Sequence, residues 1–310
     1  MKQIFIDGKA GTTGLRIFDR LEGREDLHII TLSEEDRKNT EARRQALNQA
    51  DVAFLCLPDA AAVEAVSLVE NPNTVIIDTS TAHRTLEGWA YGFPELSPAH
   101  EAAVISSKRI AVPGCHAGGF IALVYPLVEA GILSRESLLS CHSITGYSGG
   151  GKKMIAEYEA DELDTLLGAP RQYGITQSHK HLPEMRAITG LSNFPIFCPI
   201  VSSFYSGMEV TVPLFASQLE KGFTAEDIRR VYREKYTGPI VSYADTADEG
   251  GFLSAATRSG KDSMVVTVAG NGDRILLTAL YDNLGKGASG AALECMNLVL
   301  GLDRTLGLEL

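Results

Sequence analysis

Short runs of β-branched and aliphatic residues recur through the first 115 positions, at Ile4-Phe5-Ile6, Leu27 to Leu32, Val52 to Leu57, Val75-Ile76-Ile77 and Ile110-Ala111-Val112, with helix-compatible stretches between them. The runs are continuous rather than alternating. Strands covered by helices on both faces show that pattern, so the spacing predicts an α/β unit with a parallel, doubly wound sheet. The first run leads into Gly8-Lys9-Ala10-Gly11-Thr12-Thr13-Gly14, ahead of a helix expected from about Leu15. Glycines at that turn let the backbone approach a pyrophosphate at a helix N-terminus.

After about residue 140 the pattern changes. Met208 to Leu214, with Glu209, Thr211 and Pro213 interleaved, and Met264 to Val268 alternate, which predicts a half-exposed mixed or antiparallel sheet. Thr224-Ala225-Glu226-Asp227 opens an amphipathic helix with Ile228, Val231 and Tyr232 on one face. Gly285 to Leu300 reads as one long buried helix, suited to returning to the first domain. Two domains are also what 310 residues would supply.

Composition adds exclusions. Apolar residues make up 45% and charged residues 22%, as in an ordinary globular chain. A net charge of -11 argues against nonspecific binding to nucleic acid or an anionic membrane, so an anionic substrate would need local basic groups. The first residues lack the apolar run of a signal peptide and no stretch has the length of a membrane span, so a cytoplasmic protein is expected. Five cysteines without close pairs suit reduced thiols.

One of these cysteines stands apart. Val112-Pro113-Gly114-Cys115-His116-Ala117-Gly118-Gly119 joins a strand end to the apolar helix Phe120 to Val128, where unpaired N–H groups and the helix dipole favour a thiolate. Cys56, Cys141, Cys198 and Cys295 lie in apolar surroundings that suit inert packing. Ser178-His179-Lys180-His181-Leu182-Pro183-Glu184 offers an acid/base with an orienting carboxylate. In a strand His179 and His181 would share a face, and spacing does not choose between them; surface histidines, or a zinc site with Cys115, are the other readings of this segment. Gly146 to Lys153, with Ser148, Gly149 and Lys152, resembles an anion-binding nest or a flexible loop. Arg84, in Asp78-Thr79-Ser80-Thr81-Ala82-His83-Arg84, could hold a carboxylate or phosphate bidentately. The second strand lacks a terminal carboxylate for ribose hydroxyls, and Arg37 and Lys38 follow it; they would pair a 2′-phosphate, favouring NADP, or form a solvated charge run.

Together these segments resemble the N-acetyl-γ-glutamyl-phosphate reductases, in particular their short form. The matching stretches are Phe5 to Leu15, Asp78 to Arg84, Pro113-Gly114-Cys115, Gly146 to Lys152, His179 to Glu184 and Asp282-Asn283-Leu284-Gly285-Lys286-Gly287-Ala288, in order along the chain. The resemblance implies a Rossmann-type NADP-binding domain over 1–114 and 284–310, and an α+β catalytic and oligomerisation domain over 115–283, as in the semialdehyde dehydrogenase superfamily. It implies NADPH-dependent reduction of N-acetyl-γ-glutamyl phosphate to the semialdehyde, in arginine biosynthesis, by a homodimer or homotetramer with no metal. Cys115 falls on the nucleophile, His181 on the acid/base and Glu184 beside it. Gly8, Gly11, Thr12, Thr13, Gly14, Arg37, Lys38, Ser148, Gly149 and Asn283 would hold the cofactor, and Arg84, Lys152 and His179 the substrate. One departure is visible: the family reads Tyr-Pro-Thr-Gly after the cysteine, and this chain reads His116-Ala117-Gly118-Gly119. A reductase of aspartyl or aminoadipyl phosphate would use the same groups, and a non-catalytic NADP-binding sensor could share the fold.

Overall fold

The computed structural model describes residues 1–310. In chain order its elements are β1 (Lys2–Asp7), α1 (Thr12–Leu21), β2 (Leu27–Ile30), α2 (Thr40–Gln49), β3 (Val52–Leu55), α3 (Asp59–Ser67), β4 (Val75–Asp78), β5 (Ala90–Tyr91), α4 (Pro98–Ser106) and β6 (Arg109–Ala111). There follow α5 (Cys115–Glu129), β7 (Ser140–Gly146), α6 (Gly151–Tyr158), β8 (Arg171–Gln172), α7 (Leu182–Thr189), β9 (Ile196–Ser202) and β10 (Met208–Phe215). The chain closes with α8 (Ala225–Lys235), β11 (Val241–Tyr243), β12 (Met264–Gly270), β13 (Arg274–Tyr281) and α9 (Gly290–Val299). Two compact units result: Met1–Gly114 with Ala288–Leu308, and Cys115–Gly287 with Glu309–Leu310. The turn 284–287 thus stays with the second unit, four residues beyond the expected boundary, because the Asp282 carboxylate accepts from Leu284 N and Gly285 N. The last two residues differ likewise, since Glu309 N donates to Asp262 Oδ2 at 3.0 Å.

In the first unit all strand pairs are parallel, in the order β2-β1-β3-β4-β6-β5. Alternate residues serve opposite faces. Ile4, Ile6, Val52, Phe54, Val75 and Ile77 pack with Ile17 and Leu21 of α1 and with Ala291, Leu293 and Met296 of α9. Phe5, Ala53, Leu55 and Ile76 pack with Ala46 and Leu47 of α2 and Ala62 and Ala65 of α3. Burial on both faces is why these strands read as continuous apolar runs. This is a Rossmann-type doubly wound sheet, and its winding reverses between β1 and β3, beside the glycine loop. The expected C-terminal helix is interrupted: a wide π-type turn over Gly285–Ser289 precedes α9.

The second unit is built on a mixed sheet, ordered β11-β12-β13-β10-β7-β9-β8, in which β7·β9 and β11·β12 are the parallel pairs. Val210, Val212, Leu277, Ala279 and Tyr281 are buried on the face packed by α5. On the opposite face Glu209, Thr211 and Pro213 are half-buried, while His142, Ile196, Phe215 and Leu276 are exposed, as the alternation predicts. In α8, Thr224 and Asp227 form a reciprocal capping box and Ile228 and Tyr232 are buried; Val231 is half-buried.

Helix α5 is almost wholly buried and carries a proline within it, Pro126, which cannot donate to the carbonyl of Ala122. Tyr236, just past α8, donates its hydroxyl to that carbonyl at 2.6 Å, and Tyr232 donates to the next one, Leu123. Two tyrosines therefore satisfy the backbone that the proline disturbs. No helix is long and apolar enough to cross a membrane.

Candidate active site

The glycine loop of the first unit is closed by Gly11 N donating to Gly8 O at 2.9 Å, and α1 begins at Thr12, three residues before the expected start. Gly8 has φ +88°, and a Cβ there would lie 2.3 Å from the Cys56 carbonyl; a Cβ on Gly14 would lie 2.6 Å from Gly8 O. Neither position has room for another residue. Gly11 caps α1 without a side chain and no acid occupies its first turn, so no carboxylate would oppose an anion at the amides of Thr12, Thr13 and Gly14.

Beside this loop lies a cleft of about 300 Å³, lined among others by Gly8, Lys9, Ile29, Thr31 and Arg37. Its one carboxylate is Asp7, which Arg43 holds at 2.9 Å. Burial raises the Asp7 carboxyl above its usual range, and Arg43 opposes that shift. Arg37 is the one guanidinium in the lining that could pair a 2′-phosphate, and it is paired with Glu34 here. Lys38 is exposed and outside the lining, so the two basic residues are not equivalent. Lys9, which sequence reasoning passed over, lies 3.0 Å from the Phe18 ring centroid and lines the cleft.

In the second unit Cys115 is the first residue of α5 and is half-buried. Of the other thiols, burial pushes Cys56 up to about 12 and raises Cys141 as well. Around Cys115 the structure is tight. The Tyr281 hydroxyl donates to the Cys115 carbonyl and accepts from Gly119 N at 3.1 Å. A Cβ on Gly287 would lie 3.1 Å from Cys115 Cβ, and one on Gly119 would lie 2.6 Å from the Tyr281 hydroxyl.

His179 and His181 are not in a strand, so the shared strand face does not exist. They flank a turn that ends at the N-terminus of α7, and their rings meet at 4.7 Å, nearly perpendicular. The His179 Nδ1 accepts from His181 N at 3.2 Å, which holds the turn. Both rings converge on His116, at 5.9 and 5.6 Å between centroids. His181 is buried rather than a surface histidine, and Glu184 is buried in the first turn of α7.

His116 is bonded at both ring nitrogens: Nδ1 lies 2.6 Å from Ser143 Oγ and Nε2 lies 2.6 Å from the Tyr173 hydroxyl. Burial, aided by the nearby charge of His179, lowers its pKa to about 3. Burial and the neighbouring Cys115 thiol raise that of Tyr173. Ser143 and Tyr173 carry no motif, and only the unusual His116 marked the place in the sequence. No group of three or more His, Cys, Asp or Glu side chains is arranged to hold a metal ion.

Several expected contacts are otherwise engaged. Arg84 is buried, with Nε donating to Val112 O at 2.9 Å and Nη2 to Thr79 O at 3.1 Å, so it braces the ends of β6 and β4 instead of presenting a bidentate fork. Ser148 and Asn283 are joined, Asn283 Nδ2 donating to Ser148 Oγ at 3.0 Å and Asn283 Oδ1 accepting from Gly207 N at 2.9 Å. Gly149 packs against them, its absent Cβ 3.4 Å from Asn283 Nδ2. Lys152 is exposed on the first turn of α6.

Residues 3–104 match the semialdehyde dehydrogenase NAD binding domain and residues 115–283 the semialdehyde dehydrogenase dimerisation domain. An N-acetyl-gamma-glutamyl-phosphate reductase of Rhizobium meliloti (strain 1021) is 45% identical over 305 residues, covering 96% of this chain and 98% of that protein. N-acetyl-gamma-glutamyl-phosphate reductase 2 of Nostoc sp. is 41% identical over 319 residues, covering 99% of each. Among solved structures, aspartate semialdehyde dehydrogenase II of Vibrio cholerae, complexed with ASA, superposes with a TM-score of 0.73 at 17% identity, over 97% of this chain and 98% of that one. The aspartate semialdehyde dehydrogenase of Candida albicans, solved with NADP, gives 0.67 at 14% identity over 99% of each chain. These structures share the fold, whereas the sequence relatives match nearly end to end at 41–45% identity. On that ground the chain belongs to the N-acetyl-γ-glutamyl-phosphate reductase family.

Proposed function

We propose that the chain reduces N-acetyl-γ-glutamyl phosphate to N-acetylglutamate semialdehyde and phosphate with NADPH, in arginine biosynthesis. The observation that carries the reading is Cys115 at the N-terminus of α5, in a chain whose full-length relatives bear that name. The Cys115 thiolate attacks the acyl carbon, the bond to phosphate breaks, and the acyl group remains on sulfur as a thioester. NADPH, when bound, supplies the hydride that reduces this acyl group. His181 gives a proton to the developing oxyanion and takes it back as the C–S bond breaks and Cys115 leaves as thiolate. Glu184, in the same helical turn, supports the protonated ring, and His179 with Lys152 serves substrate binding.

The Gly8 to Gly14 loop and Arg37 hold the cofactor in this reading. Residues 1–114 and 288–308 act as the cofactor domain and 115–287 as the catalytic and oligomerisation domain. The protein works in the cytoplasm as a homodimer or homotetramer. Support for assembly comes from the dimerisation-domain match and from the uncovered sheet face with Ile196, Phe215 and Leu276.

The test is phosphate-dependent NADP reduction with N-acetylglutamate semialdehyde, aspartate semialdehyde and the aminoadipate analogue compared. Preference for the first by kcat/KM is expected. Preference for either of the others would reassign the substrate, and no turnover with any would favour a sensor.

A further inference from the structure

The departure at His116 has a geometric counterpart. Its ring spans two hydroxyls far apart in the chain, Ser143 on β7 and Tyr173 after β8, each at 2.6 Å. Ser143 is fully buried, while the Tyr173 ring is half-buried and lies 5.9 Å from His179 between centroids. Tyr173 thus bonds to the residue that directly follows Cys115 at the start of α5. Held so deeply, His116 stays uncharged at working pH, so one ring nitrogen donates and the other accepts.

We infer that His116 is a positioning residue: it fixes the Tyr173 hydroxyl beside the thiol, where that hydroxyl binds an oxygen of the acyl substrate. The inference rests on the reaction proposed above. An acyl phosphate with a carboxylate and an amide carbonyl presents mainly acceptor oxygens near the reacting carbon. For Tyr173 to donate to one of them, His116 Nε2–H must donate to the Tyr173 oxygen, and the Ser143 hydroxyl must donate to Nδ1. The buried serine thereby sets the direction of the whole chain of hydrogen bonds. A histidine cannot be exchanged here for a residue with one polar atom, because both ring nitrogens are engaged.

The full-length enzyme tests this by phosphate-dependent NADP reduction with N-acetylglutamate semialdehyde, alongside the pH dependence of Cys115 alkylation by iodoacetamide. Tyr173→Phe should raise KM for the semialdehyde roughly tenfold, the size of one hydrogen bond, and leave KM for NADP and the alkylation profile as in wild type. His116→Phe should do the same, and His116→Gln, which keeps a donor and an acceptor, should lose only roughly threefold. The His116→Phe, Tyr173→Phe double variant should be no worse than either single change, since both act through one hydroxyl. An unchanged KM in Tyr173→Phe overturns the inference, as does a multiplicative loss of roughly a hundredfold in the double variant or a shifted alkylation profile. Tyr173→Phe keeps its ring and decides the matter if His116→Phe does not fold. Wild-type enzyme without this turnover overturns the parent reading together with this one, whereas normal wild-type turnover with an indifferent Tyr173→Phe overturns this one alone.

Discussion

A thiol is useful for acyl transfer only where its anion is tolerated, and the cysteines of this chain differ in that respect. Burial disfavours the thiolate at Cys56 and Cys141, whereas Cys115 meets the amides at the start of α5. Cys115→Ser is expected to abolish turnover and leave NADP binding intact; peptide mapping that locates the essential alkylated thiol at Cys198 would overturn this. His181→Asn should lower kcat by about 10²–10⁴-fold and remove one limb of the pH profile, with KM for NADP little changed. A larger kcat loss in His179→Asn would exchange the two roles. His116 gives a stability prediction. Its folded pKa of about 3 lies below the ordinary 6.5, so the unfolded chain takes up the proton first as pH falls. Its contribution is therefore full above pH 6.5 and is lost between 6.5 and about 3, at a limiting slope of about 1.4 kcal/mol per pH unit. Urea unfolding of wild type and His116→Gln at pH 7 and 5 should show a smaller pH effect in the variant; equal effects would count against a neutral buried ring.

At the scale of elements, two junctions position the chemistry. The glycine loop tightens so far that Gly8 and Gly14 admit no side chain, and it delivers α1 with its first amides free of a capping side chain. In the same cleft Arg37 lines the wall and Lys38 does not, so Arg37→Ala should cut the preference for NADP over NAD roughly tenfold or more, with Lys38→Ala near neutral. Equal kcat/KM ratios in wild type and Arg37→Ala would remove Arg37 from the phosphate site. Helix α5 depends on a borrowed donor, since Pro126 leaves the Ala122 carbonyl to Tyr236. Tyr236→Phe should destabilise the protein by about 1–3 kcal/mol, the penalty for a buried acceptor left unpaired. A urea midpoint equal to that of wild type would show that the carbonyl finds another donor.

For the molecule as a whole, the proposed assembly uses the sheet face of the second unit, where Ile196 is 62% and Leu276 is 41% exposed. Apolar side chains of that size in a row favour burial against another subunit. Ile196→Glu with Leu276→Glu should yield monomers by light scattering with an unchanged circular dichroism spectrum; a monomeric wild type would overturn the homo-oligomer. The same face shows how much of the protein was legible in its chain. Alternation along β10 and β12 announced a half-exposed sheet, continuous runs announced a parallel one, and the glycine turn and Cys115 announced themselves by position. These are local properties: side-chain period and backbone freedom are decided within a few residues. What lay beyond the chain was convergence. His116 reaches partners 27 and 57 positions away, and Arg84, which reads as a free fork, spends two of its donors on carbonyls at two strand ends. The two histidines expected on one strand face meet instead across a turn. Such pairings depend on strand register and helix packing, which bring distant residues within hydrogen-bonding distance, and no spacing along the sequence encodes that distance.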